Sequence, residues 1–79
     1  GAGFFAPTWS PDGAHLAMLS TRGGTVSLWI WRRASRRLSR VAAETLELGR
    51  PVWLSNREVI CATPPNGEQP LWFDLDVNA

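Results

Sequence analysis

The sequence predicts an all-β protein made of two tandem antiparallel sheets, and three observations predict it. Pro7-Thr8-Trp9 recurs as Pro51-Val52-Trp53, and Gly24 with Leu28-Trp29-Ile30 recurs as Gly67 with Leu71-Trp72-Phe73. The repeat length is about 43 residues, within the range of units built from four strands. No stretch carries the sustained 3.6-residue apolar pattern that helical repeats of similar length require.

Each element follows from its punctuation. Ser10-Pro11-Asp12-Gly13 has Pro where a type I turn needs φ near −65° and Gly where the chain leaves it. It separates a first strand at Phe4 to Trp9 from a second at His15 to Ser20. Thr21-Arg22-Gly23-Gly24 turns the chain into a third strand, Thr25 to Arg32, where Val26, Leu28 and Ile30 alternate with Ser27, Trp29 and Trp31. Both faces of that strand are largely apolar, which fits a strand sandwiched between neighbouring sheets. Arg36 to Ala42 is more polar and reads as an outer edge. After a link at Glu44 to Leu48, strands at Pro51 to Leu54, Glu58 to Ala62 and Gln69 to Asp74 repeat the first three. Pro11-Asp12-Gly13-Ala14 faces the shorter Ser55-Asn56-Arg57, a length change where turns tolerate one.

The period is that of a β-propeller blade, a four-stranded antiparallel sheet. Residues 1–43 are then a first blade and 44–79 a second, incomplete one: about two consecutive blades of a larger propeller. Propellers close with typically about four to eight blades, so two are expected to belong to a longer polypeptide. A chain this short leaves little margin for an isolated core. Cys61 is its only cysteine, which excludes an internal disulfide, and Cys61 with His15 are too few for a structural zinc. No cofactor or metal is expected.

Net charge is +1, all eight basic residues are Arg, and apolar runs such as Leu16-Ala17-Met18-Leu19 are far too short to span a bilayer. No nucleic acid and no membrane span are expected, and the first residues do not read as a signal peptide. Arg32, Arg33, Arg36, Arg37 and Arg40 form a basic cluster able to engage a carboxylate or phosphate, and the favoured reading is a solvated hairpin, since nucleic-acid surfaces interleave cations with free aromatics.

Ser10, Asp12 and His15 lie close in sequence, yet a hydrolase serine sits in a Gly-x-Ser-x-Gly elbow and Ser10 is flanked by Trp9 and Pro11. No catalytic residue is assigned. Asp12 is expected to bond the backbone of its own turn, and His15, matched by Glu58, to face solvent. Trp9, Pro11, Asp12, Gly13, Gly24, Trp29, Trp53, Gly67 and Trp72 are the structural repeat residues, with the four Trp expected in the core. Cys61, matched by Met18, reads as a buried small hydrophobe. Thr21, Arg22 and Asn66, at turns between second and third strands, are the candidate ligand-binding positions.

Trp9-Ser10-Pro11-Asp12-Gly13, then Leu16-Ala17-Met18-Leu19-Ser20, then Gly24, Leu28 and Trp29 resemble the propeller repeat of TolB-like proteins and of prolyl oligopeptidase-type serine peptidases. Trp53-Leu54-Ser55-Asn56 departs from the turn pattern, while Leu71-Trp72-Phe73-Asp74 keeps the third-strand ending of Leu-Trp followed by an acid. In the first repeat Trp31 replaces that acid, which suggests extra burial against the adjacent segment. The peptidase resemblance implies a non-catalytic gate that controls peptide access to an α/β-hydrolase domain elsewhere in the same chain. One branch of that family opens isopeptide bonds in lasso peptides. The TolB resemblance implies a scaffold that binds a protein partner without chemistry. Partners are accordingly the remaining blades, a hydrolase domain and a peptide substrate or protein partner. Fold alone does not choose between these readings.

Overall fold

Seven strands form in chain order in the computed structural model, which describes residues 3–22, 24–41, 48–63 and 70–75. They are β1 (Phe4–Trp9), β2 (His15–Ser20), β3 (Ser27–Arg32), β4 (Arg37–Arg40), β5 (Pro51–Trp53), β6 (Glu58–Cys61) and β7 (Leu71–Asp74). The chain meanders into a four-stranded sheet, β1-β2-β3-β4, and a three-stranded one, β5-β6-β7, with every pairing antiparallel. Among the described residues there is no helix, so the expected all-β class holds. Strands β3 to β7 are each shorter than read from sequence, and Ala42, most of the Glu44 to Leu48 link, Asn66, Gly67 and Gln69 lie outside the described residues.

Turn chemistry acts as the residue types dictate. The Gly13 N–H donates to the Ser10 carbonyl at 2.9 Å, and Gly13 has φ of 73°, a conformation that a side chain would strain. In β1 the register shifts between Phe5 and Thr8, which marks a bulge. Ala6 sits in it with φ of 53°, and Pro7, which has no N–H to give a ladder, is accommodated beside it. The β3–β4 turn closes with Arg36 at φ of 55°. Left-handed backbone costs a side chain about 1–2 kcal/mol, whereas Gly loses somewhat more entropy on folding. Arg36→Gly is therefore expected to stabilise the exposed turn by about 0.5–1 kcal/mol, read as a higher urea midpoint.

Partners across an antiparallel ladder share a face, and neighbours along a strand alternate. The front face of the first sheet then carries Ala17 paired with Ile30 and Leu19 paired with Leu28. These four are buried in one cluster with Leu48, Val59, Cys61, Phe73 and Leu75. In the second sheet, Trp53, Val59 and Phe73 share a face with Cys61 and Leu71. The core therefore lies between two face-to-face sheets.

The ladders also define which residues correspond. Trp9 pairs with Leu16 as Trp53 pairs with Val59, and Leu16 pairs with Trp31 as Val59 pairs with Phe73. First and second strands keep the correspondence read from sequence, including Met18 with Cys61. Third strands slip by one residue: Trp29 corresponds to Leu71 and Ile30 to Trp72, because the β2–β3 connection changes length as well. The buried face of the second sheet is thus equivalent to the back face of the first, which carries Trp9, Leu16, Met18, Trp29 and Trp31. The two sheets stack head to tail.

This arrangement corrects the expectation that all four repeat tryptophans are core. Trp9 and Trp72 are 49% and 54% exposed, because each lies on the face turned away from the other sheet. Trp29 and Trp53 are half-buried. Trp31 meets Trp9 edge-on at 6.0 Å, so its added bulk packs on a tryptophan of its own sheet.

Candidate functional site

Where the β1–β2 and β5–β6 turns meet, an open cleft of about 500 Å³ is lined by Asp12, His15, Ser55, Asn56, Arg57 and Glu58. Sheet stacking builds it by placing equivalent turns side by side. The Asp12 N–H donates to Asn56 Oδ1 at 3.0 Å, which ties the two turns directly.

Ser10 and Asp12 work inside their own turn. Ser10 Oγ donates to Asp12 Oδ1 at 2.7 Å and accepts the His15 backbone N–H at 3.1 Å. The Ala14 N–H donates to the same Asp12 oxygen at 3.0 Å, as expected of this residue. Those bonds, the Ala14 N–H first and the Ser10 hydroxyl second, hold the Asp12 carboxyl below its ordinary pKa. Protonation removes the charged acceptor, so the turn loses this support as pH falls through the lowered value.

In the second turn the same device is rebuilt with a displaced acid. Ser55 Oγ donates to Glu58 Oε1 at 3.0 Å and accepts the Glu58 N–H at 3.1 Å. Glu58 Oε2 accepts the Trp72 indole N–H at 3.1 Å, so both carboxylate oxygens are engaged. Beside it, Arg57 lies 3.8 Å from Asp74, at the margin of an ion pair.

His15 departs from the solvent-facing position expected of it. Its ring stacks on Trp53 with centroids 6.2 Å apart, and Nε2 meets the Arg32 guanidinium at 3.2 Å. A guanidinium only donates, so Nε2 is the acceptor in this contact. Nδ1 is buried and has no hydrogen-bond partner among the described residues. Ser10, Asp12 and His15 are not linked here as serine to imidazole to carboxylate: the Ser10 hydroxyl is turned to Asp12, and His15 Nε2 meets Arg32.

The two sheets are pinned beside this cleft by the Trp53 indole N–H, which donates to the Thr8 carbonyl at 2.9 Å. Trp53→Phe keeps a ring and removes the donor. A loss of about 1–2 kcal/mol in unfolding free energy is expected, measured by urea denaturation.

The candidate ligand positions lie elsewhere. Thr21 and Arg22 are exposed at the far end of β2, and the Arg22 guanidinium lies over the Phe4 and Trp29 rings, 5.8 and 5.2 Å from their centroids. Packing on two rings occupies Arg22, and the structure does not bring either residue to the cleft. Asn66 lies outside the described residues. Ser55, Asn56, Arg57 and Glu58 were not singled out as ligand-binding positions from sequence, although a repeat that stacks places equivalent turns side by side. Among the described residues no group of three or more His, Cys, Asp or Glu is placed to hold a metal ion, and no helix is long and apolar enough to cross a membrane. What the cleft offers is hydrogen-bonding groups on a polar rim, with Ser55 and the Asp12 and Glu58 carboxylates already hydrogen-bonded. No family model and no curated protein matches this chain.

Proposed function

We propose that the two sheets are consecutive blades of a larger β-propeller that gates peptide access to a serine-hydrolase domain in the same polypeptide. One observation supports the propeller reading above all. The sheets belong to one sequence repeat and stack head to tail, so the covered face of the second is the uncovered face of the first. Such an interface is heterologous, and its repetition generates a ring when the rotation closes. The peptidase part rests on the resemblance of Trp9-Ser10-Pro11-Asp12-Gly13 and the strands after it to prolyl oligopeptidase-type repeats. In this role the segment supplies shape, a reading supported by the hydrogen bonds that engage Asp12, Ser55 and Glu58 of its cleft within the segment itself.

A fluorophosphonate probe tests the peptidase part on the full polypeptide. Covalent labelling at a serine outside these sheets, with hydrolysis of short peptides in preference to folded proteins, is the expected result. A full polypeptide that takes no probe and cleaves no peptide would instead be a scaffold of the TolB-like kind.

A further inference from the structure

Resting on the propeller reading, we infer that the aromatic back face of the first sheet is the seat of one more sheet of the same polypeptide, whose facing side chains are smaller than Ala17, Leu19, Leu28 and Ile30. The covered interface supplies the pattern. On the second sheet this face is sealed: Val59 and Cys61 are fully buried, Phe73 is 8% exposed, and the Trp53 indole reaches the β1 backbone. Its equivalent on the first sheet carries no second sheet: Met18 is 9% exposed, but Trp9 is half exposed and Leu16, Trp29 and Trp31 are only partly buried. A like sheet laid on it in the same sense brings its first strand beside β1. The carbonyl equivalent to that of Thr8 then accepts the Trp9 indole N–H.

Size decides which sheet fits. At four of the five corresponding positions the open face is bulkier than the sealed one, with Leu16 for Val59, Met18 for Cys61, Trp29 for Leu71 and Trp31 for Phe73, and at the fifth Trp9 matches Trp53. Stacked sheets lie about 10 Å apart and interiors pack to crystal-like density, so bulk on one face has to be matched by small residues on the other. A second copy of this chain does not meet that need. Its free face carries Ile60 and Trp72 where the sealing face has Ala17 and Ile30, and Ala62 and Pro70 where that face has Leu19 and Leu28, so taken together it is no smaller than the sealing face. Trp72 would lie against the bulky face. The occupant is therefore a different repeat, with Gly, Ala, Ser or Val at the positions equivalent to Leu28 and Ile30.

Hydroxyl-radical footprinting read by mass spectrometry, on the full polypeptide and on this chain alone, tests the inference. In the full polypeptide Trp9 should oxidise as slowly as Trp53, and in this chain it should oxidise faster. Trp9→Phe should lower the urea midpoint of the full polypeptide by more than that of this chain, where Trp9 is half exposed and meets Trp31 edge-on. Fast oxidation of Trp9 in the full polypeptide overturns the inference. Small-angle scattering then separates the cases: a compact ring with Trp9 exposed sinks this proposal alone, and an extended particle sinks the propeller reading with it. Slow oxidation of Trp9 in this chain, accompanied by a doubled mass in light scattering, assigns the face to a second copy and also overturns the inference.

Discussion

Leu28→Ala should lower the unfolding free energy by about 3 kcal/mol, within the range of about 2–5 for buried Leu to Ala changes. Leu28 is fully buried on β3, a strand paired on both sides, so its backbone stays in place and the missing side chain leaves a cavity between the sheets. Native domains are stable by about 5–15 kcal/mol, and a chain this small belongs near the lower end, so much of its stability is at stake. Val52→Ala is the control. Val52 is 52% exposed on the open face of the second sheet, and its truncation should cost less than about 0.5 kcal/mol. Urea unfolding followed by tryptophan fluorescence measures both, and equal midpoints for the two variants would mean that the sheets do not pack through Leu28.

Alkaline pH should destabilise the chain through Cys61. Its side chain is fully buried at the same interface, and burial pushes the thiol from 9.0 up to about 12. The folded-state value is raised, and the neutral form is the one that folding favours. Below pH 9 both states hold the proton and pH has no leverage here. Above it the unfolded chain releases a proton that the folded chain retains, so stability falls by about 1.4 kcal/mol per pH unit until the buried thiol ionises as well. Urea midpoints at pH 7, 9 and 10 should show the decline, and Cys61→Ala should remove that part of the slope while lowering stability uniformly by the cost of a small cavity. Thiol reagents at pH 8 should react only as fast as the chain opens. Immediate stoichiometric labelling of the folded chain would contradict the burial.

Seven strands, their antiparallel order and the tight Ser10-Pro11-Asp12-Gly13 turn were legible in the sequence. They depend on local rules: period-2 alternation, a fixed proline φ, and a glycine at the one turn position with positive φ. The burial of Cys61 was equally readable, since its repeat partner Met18 is apolar. His15 was misread because interchange with Glu58 speaks only of polarity, whereas stacking on Trp53 and the contact with Arg32 depend on a strand far away in sequence. The third-strand correspondence was misread for a related reason. Matching Leu28-Trp29-Ile30 to Leu71-Trp72-Phe73 compares residue types, and register is set by the ladder partners Ala17 and Ile60.

By itself, then, the sequence determined that this protein is a tandem pair of antiparallel sheets with polar turns and apolar strands, because backbone conformation responds to neighbours a few residues away. Tertiary structure alone decided which face of each sheet is covered. An alternating strand offers two apolar faces of nearly equal quality, and only the stacking of one sheet on the other seals Val59, Cys61 and Phe73 while it leaves Trp9 and Trp72 exposed.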